Sequence, residues 1–174
     1  ITHRQLLSHV GGVRDNWNVM NQLYVDGDSP IALGDFLRDY YDPEGAYYDQ
    51  SQNWVPDGVE ERMVYANMGY ALLGHLVEQL TGEEFPEFCQ REIFDPLGMY
   101  DTAWHLADLD ESQVAMPYVW RNGDYQSVGH YGYPDYPNGA LRTGAEQLAR
   151  FMAMGMGGGE YRDVRILEEE TFVE

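Results

Sequence analysis

A tyrosine and an asparagine two positions apart, Tyr65 and Asn67, are the residues whose types and spacing best suit chemistry in this chain. They stand where an irregular segment meets a strongly apolar helical pattern, a junction from which both side chains can project to one side of a cleft. A phenol can exchange a proton, and a carboxamide can both donate to and accept from a substrate amide. The alternative is structural: Asn67 caps the helix and Tyr65 packs.

Other arrangements that carry catalysis are missing from the sequence. The histidines stand at positions 3, 9, 75, 105 and 130, without the spacing of a metal site, so neither a metal nor another cofactor is expected. The sequence has neither the G-x-S-x-G pattern of α/β-hydrolases nor a P-loop. Ser8 and His9 are adjacent, but neighbouring helical side chains diverge by about 100°. We therefore interpret them as a helix-end serine and a packed histidine.

The composition of the 174-residue chain excludes several function classes. Its 30 acidic and 10 basic residues give a formal net charge of −20, which repels phosphate backbones and anionic lipids, so nucleic-acid binding is not expected. No apolar run approaches the roughly 18 residues of a membrane span. All ten basic residues are arginines, so the sequence offers no lysine for catalysis. The single cysteine, Cys89, excludes an internal disulfide.

The strongest helical pattern directly follows the tyrosine–asparagine pair. Leucines and Val77 recur on one side of residues 68–80, and Thr81-Gly82 supplies a stop signal. The preceding residues, 43–62, hold proline, glycine, aspartate and tyrosine without a period, and they predict a long irregular loop. The loop and the helix together must position Tyr65 and Asn67.

The rest of the chain predicts further helices and one β-hairpin. The hairpin is expected within residues 114–128, because Asn122-Gly123 lies between β-forming residues. Four other helices are expected, and each combines an apolar face with a start or stop signal. The first follows a capping box of Thr2 with Gln5, and the second covers residues 33–40 after Ser29-Pro30. The third begins at about Phe85, and the fourth follows a capping box that starts at Thr143.

Four blocks of this sequence, in order, resemble those of the serine β-lactamase-like family, which comprises class C β-lactamases, D-alanyl-D-alanine peptidases and esterase relatives. Residues 1–12, ITHRQLLSHVGG, resemble the family's ITIRHLLTHTSG stretch. Residues 65–74, YANMGYALLG, are similar to its Y-[SA]-N-x-G-Y-x-L-L-G block. Residues 92–102, EIFDPLGMYDT, and 137–151, PNGALRTGAEQLARF, resemble IFxPLGMxDT and PxGGLRSTAxDLARF. The blocks cover most of the chain.

The resemblance implies an acyl-transfer site. In the family, the serine of an S-x-x-K motif attacks a carbonyl and forms an acyl-enzyme, while the lysine and the tyrosine of Y-x-N manage the protons. Carried over, Tyr65 is a catalytic general base or proton relay, and Asn67 binds the substrate's amide. The sequence departs from the family in having no S-x-x-K and no K-T-G or H-x-G in the expected order; His130-Tyr131-Gly132 precedes the LRT block.

The resemblance also implies a fold class. The family builds its central antiparallel sheet from strands near both termini, and the middle of its chain forms a mainly helical region. Residues 1–174 are therefore expected to form a single domain, an internal fragment that is mainly α with one β-hairpin and without the complete central sheet. Apolar helix faces that would meet that sheet are expected to be exposed or covered by another copy, giving a homo-oligomer.

The sequence is consistent with three functions. The first is a fragment of a serine hydrolase that acts on a β-lactam, a D-alanyl peptide or an ester and is inactive alone, since it lacks the nucleophile. The second is a non-catalytic binding module on the same scaffold, and the third is an unrelated helical domain. The family resemblance suggests a periplasmic or secreted parent protein. An S-x-x-K motif upstream in the parent gene would distinguish the first function from the second.

Overall fold

The computed structural model describes residues 1–60 and 62–173, without the side chain of Val173. The predicted loop 43–62 therefore lies within the described residues except for position 61. The chain divides into two compact units, one made of Ile1–Gly82 and Ala115–Ala140, the other of Glu83–Val114 and the residues from Leu141. No helix in the described part is long and apolar enough to cross a membrane. The single-domain organisation stays a prediction.

Helices make up most of the regular secondary structure of the first unit. Its helices are α1 (His3–Leu7), α2 (Trp17–Met20), α3 (Leu33–Tyr41), α4 (Gln50–Asn53) and α5 (Asn67–Thr81). Thr2 and Gln5 form the expected capping box of α1. The C-cap of α5 is Gly82, which adopts the left-handed conformation (φ 75°) that glycine allows. The predicted loop contains a short helix, α4, because the Asp49 carboxylate accepts hydrogen bonds from the Ser51 and Gln52 amides.

The core of the first unit forms where α1 and α3 pack on α5. A buried cluster of Leu6, Val13 and Ala66 lies against the half-buried Leu72 and Leu73 of α5. The most buried face of α5 consists of small or flexible residues rather than the leucines of the sequence pattern; these are Met68, Gly69, Ala71 and Gly74. A Cβ on Gly69 would lie 3.6 Å from the carbonyl oxygen of Leu6, so a glycine here lets α1 approach α5 closely.

The first unit also contains four short strands: β1 (Val25–Asp26), β2 (Tyr118–Arg121), β3 (Asp124–Ser127) and β4 (Tyr131–Gly132). Strands β2 and β3 form the predicted hairpin, with Asn122 and Gly123 both at positive φ in its turn. Strand β1 pairs with β4, more than a hundred residues away in the sequence.

The second unit holds α6 (Phe85–Cys89), α7 (Asp95–Leu97), α8 (Ala145–Met156), β5 (Glu160–Tyr161), β6 (Val164–Arg165) and α9 (Glu169–Val173). A π-helical turn, Gln90–Phe94, joins α6 to α7. Strands β5 and β6 form a second hairpin, so the expectation of one hairpin was wrong. The sequence signal was missed because the turn residues Arg162 and Asp163 adopt positive φ without a glycine.

The capping box predicted at Thr143 was also wrong. The N-cap of α8 is Gly144, and no side chain caps it. The Thr143 hydroxyl instead lies 2.7 Å from that of Thr102, whose own hydroxyl donates to Gln147. A long-range partner has therefore replaced the local one. The described residues form three two-stranded sheets and no larger sheet.

Candidate active site

The N-terminus of α5 brings the two predicted site residues together. Ala66 is the N-cap in an extended conformation, and Asn67 is the first helical residue. The hydroxyl of Tyr65 donates to Oδ1 of Asn67 over 3.3 Å. Tyr65 is 64% exposed, so its phenol is open to a ligand. The two side chains thus share one accessible face of the first unit.

The structural alternative for this pair disagrees with the geometry. Asn67 does not cap α5, because it lies inside the helix and its side chain turns to Tyr65 and Asp15. Tyr65 makes one ring contact, with His9, but most of its surface is exposed. Packing and capping alone therefore do not account for these two residues, whereas their catalytic and binding roles stay predictions.

Asp15 caps α5 from a distant part of the sequence. Its Oδ2 accepts from the backbone N–H of Asn67 (3.1 Å) and from Nδ2 of Asn67 (2.7 Å). Its Oδ1 accepts from the backbone N–H of Met68 at 3.1 Å. A negative charge at this position also complements the positive end of the helix dipole. One carboxylate therefore satisfies two otherwise unpaired helix amides and holds the site asparagine.

His9 supports the other side of the pair. Its ring lies against the rings of Tyr65 and Tyr70, with centroid separations of 4.5 and 5.3 Å. Its Nδ1 accepts the backbone N–H of the buried Ala66 over 3.3 Å. Ser8 is the helix-end serine that the sequence predicts, since it is the C-cap of α1 and its hydroxyl donates to the carbonyl of Arg4. The sequence does not reveal that His9 belongs to the site.

A buried phenol fixes the backbone that carries Asp15. The hydroxyl of Tyr40 donates to the carbonyl of Arg14 (2.8 Å) and accepts from the N–H of Asn16 (2.7 Å). These two groups flank Asp15 on either side. Nδ2 of Asn16 also donates to Oδ1 of Asn53 at 2.9 Å. Asp15 is therefore presented to α5 by a polar network built on α3 and α4.

A second acidic residue of the first unit carries a perturbed pKa. Asp135 is buried, and burial raises the pKa of its carboxyl to about 6. The hydrogen bond from Asn138 opposes this shift, and the negative charge of Asp15 adds to it. Burial also raises the pKa of the Tyr24 phenol, with further contributions from the charges of Asp135 and Asp15. The region around Asp15 therefore disfavours additional negative charge.

The site contains proton-exchanging and hydrogen-bonding groups but no assembled nucleophile. The serines stand at positions 8, 29, 51, 112 and 127, and a sequence without lysine cannot contain S-x-x-K. Among the described residues, no group of three or more histidine, cysteine, aspartate or glutamate side chains could hold a metal. The arrangement can transfer a proton at Tyr65 and donate an N–H at Asn67.

Comparison with known proteins identifies the scaffold. A profile of the Beta-lactamase family matches residues 1–172. The chain belongs to the beta-lactamase family. It is 30% identical over 117 residues to penicillin-binding protein 4* of Bacillus subtilis, covering 66% of this chain and 23% of that protein. It is 26% identical over 159 residues to a beta-lactamase of Providencia stuartii, covering 84% of this chain and 37% of the other.

Solved structures show the same fold. A penicillin-binding protein from Bacillus halodurans superposes with a TM-score of 0.72 at 22% identity, covering 99% of this chain and 49% of that chain. The chain thus spans from about a quarter to about half the length of these relatives. The described residues contain more helix than strand, with small two-stranded sheets, and that they are the middle portion of the family's fold stays a prediction.

Proposed function

We propose that this chain supplies the tyrosine and the asparagine of an acyl-transfer site in a serine hydrolase. Tyr65 acts as general base or proton relay, and Asn67 binds the amide of the substrate. The observation that carries the proposal is the contact between the exposed Tyr65 hydroxyl and Asn67 Oδ1 at the N-terminus of α5. Membership of the beta-lactamase family supports the same reaction class.

The chemistry requires a nucleophile from outside these residues. The oxygen of a serine bonds to the carbonyl carbon of the substrate, its proton passes to a base, and the leaving group departs with a proton. We therefore propose that residues 1–174 are an internal segment of a longer enzyme and form no acyl-enzyme alone. Substrates in keeping with the relatives' names are a β-lactam or a D-alanyl peptide, and an ester suits the same chemistry.

A non-catalytic binding module is the second candidate. Such a module would need no nucleophile, and residues 1–174 contain no S-x-x-K. The reading frame that encodes this segment distinguishes the two functions: an upstream S-x-x-K supports the hydrolase, and its absence from the whole frame supports the binding module.

Mass spectrometry tests the proposed inactivity of the isolated chain. After incubation with benzylpenicillin or p-nitrophenyl acetate, the expected mass is that of the unmodified protein. A stoichiometric adduct on a serine contradicts the proposal.

In the complete enzyme, Tyr65→Phe should lower kcat/KM by about 10²–10⁴-fold, because a positioned acid–base group contributes that factor. Activity that survives this substitution shows that Tyr65 is not the proton relay.

We further propose that copies of the chain associate through apolar helix faces. On α8, four apolar residues on neighbouring turns are exposed; they are Leu148, Phe151, Met152 and Met156. On α5, Leu76 and Leu80 are exposed as well. Exposed apolar stripes of this kind favour protein contacts, while the net charge of −20 opposes self-association.

A further inference from the structure

The carboxamide of Asn67 has two ends that offer a ligand different chemistry. Oδ1 only accepts hydrogen bonds, whereas Nδ2 carries two N–H donors. The two ends have nearly the same shape, so the neighbours of the side chain decide which end faces a ligand. Asn67 is half-buried, so only part of its carboxamide is accessible to a ligand. The orientation of the amide therefore determines whether a ligand finds an acceptor or a donor there.

Asp15 is the neighbour that decides this orientation. Both of its oxygens accept backbone N–H groups of α5, and Oδ2 also lies 2.7 Å from the amide end of Asn67. An oxygen of the amide at that distance would face the carboxylate oxygen without a hydrogen between them. Nδ2 must therefore point to Asp15, which turns Oδ1 to the hydroxyl of Tyr65.

This orientation leaves one donor for a ligand. One hydrogen of Nδ2 is bound by Asp15, and Oδ1 is occupied by Tyr65. The second hydrogen of Nδ2 has no partner among the residues that the structure describes. The free group next to the Tyr65 phenol is thus an N–H, which pairs with a carbonyl oxygen and not with another donor.

We propose that Asp15 is a positioning residue that orients the Asn67 amide so that its free N–H receives a carbonyl oxygen of the substrate. The ligand class is an acyl compound with an amide or ester carbonyl beside the reacting bond. This inference rests on the proposed function for its substrate, whereas the orientation itself is a property of this chain. Asp15 acts through Asn67 and touches no reacting atom.

Side-chain amide hydrogen exchange, followed by NMR on the ¹⁵N-labelled wild-type chain, tests the orientation without any substitution. One Nδ2 hydrogen of Asn67 is expected to exchange about tenfold more slowly than the other, since a hydrogen bond to a carboxylate protects it. Asn122 is exposed in the turn of the first hairpin, and its side-chain amide provides the solvent-exposed reference. Equal exchange of the two Asn67 hydrogens overturns the proposal.

A pair of substitutions separates positioning from helix capping. Asp15→Ala should abolish the protected Asn67 hydrogen, because alanine has no side-chain acceptor. Asp49→Ala is the matched control, because Asp49 also accepts backbone N–H groups at a helix start but makes no hydrogen bond to Asn67. It should leave the Asn67 signals unchanged. An Asn67 hydrogen that stays protected in Asp15→Ala overturns the proposal. Neither result alters the acyl-enzyme and Tyr65→Phe tests, so failure of the proposed function is seen separately.

Discussion

The imidazole of His9 lies against the phenol of Tyr65, with ring centroids 4.5 Å apart and an angle of 42° between the planes. His9 adopts the left-handed conformation (φ 58°) to reach this position. Only glycine adopts this conformation without cost, although histidine and asparagine are found there more often than most residues. The backbone after α1 therefore bends to place a ring and an acceptor beside the site.

Substitution of His9 should lower the free energy of unfolding, by an amount that depends on whether the new side chain keeps a hydrogen-bond acceptor. His9→Ala loses the ring contacts and the acceptor for the buried Ala66 N–H, so the free energy of unfolding should fall by about 1–3 kcal/mol. His9→Asn keeps a side-chain acceptor and tolerance of the left-handed conformation, and should lose less than half of that. Urea unfolding measures both. Equal losses in the two variants would show that the acceptor contributes nothing.

Removal of the hydroxyl should have different effects on stability at the adjacent residues Tyr40 and Tyr41. Tyr40→Phe leaves the Asn16 N–H and the Arg14 carbonyl without their partner, which should cost about 1–3 kcal/mol. The buried hydroxyl of Tyr41 has no partner among the described residues, so Tyr41→Phe should be neutral or stabilising. Thermal and urea unfolding compare the variants. A Tyr41→Phe variant as unstable as Tyr40→Phe contradicts the assignment of the Tyr40 network.

The buried carboxyl of Asp135 should make stability depend on pH. Its pKa is raised from 3.8 to about 6, so between these values the folded chain binds a proton more tightly than the unfolded chain. The free energy of unfolding therefore falls as pH rises from about 4 to about 6 and stays reduced above that range, by about 3 kcal/mol from a shift of this size.

Asp135→Asn should remove this dependence. The variant keeps an acceptor for Asn138, so it should be more stable than wild type at pH 7 and equal to it near pH 4. Asp49→Asn is a control of opposite sign, because hydrogen bonds from Ser51 lower the pKa of Asp49, and its loss should destabilise the chain at pH 7. Parallel pH profiles for wild type and Asp135→Asn would refute the expectation.

Self-association should strengthen with salt. Screening shortens the range of repulsion between chains of net charge −20, from about 30 Å at 0.01 M salt to about 3 Å at 1 M. Sedimentation velocity should therefore show larger species as sodium chloride is raised. Met156→Glu, at the most exposed position of the α8 stripe, should reduce them. Met63→Glu adds the same charge at an exposed loop position, and it should reduce the larger species less. A wild-type chain that stays monomeric at 1 M salt would contradict the proposal.

Many elements of the fold could be predicted from local sequence patterns. The period of α5, its glycine stop and the Asn-Gly turn of the first hairpin each follow from a few neighbouring residues. Strands β5 and β6 are two residues long, and too few side chains alternate in them to give a signal. The capping box at Thr143 failed for another reason: its hydroxyl found a partner 41 residues away.

Only half of the site could be predicted, because the other half depends on contacts between residues that are distant in the sequence. Tyr65 and Asn67 stand together in the sequence, and their types suggest their chemistry. Asp15 is 52 residues away from Asn67 and follows no motif that identifies it as a helix cap. His9 was interpreted as a packed residue, which its ring contacts bear out, yet the group it packs against is the site tyrosine. Tertiary contacts alone reveal both supporting residues.

The two hydrogen bonds of the Tyr40 hydroxyl also restrict how the length of this segment can vary. One phenol oxygen holds Arg14 and Asn16, so the number of residues between them is fixed by its reach. An insertion or deletion here would detach one bond and move Asp15 along the helix end by a residue spacing, about 3.8 Å. The exposed turn at Asn122-Gly123 has no such restriction. Related chains with a tyrosine-x-asparagine pair should therefore differ in length at this turn and keep a constant length between Arg14 and Asn16.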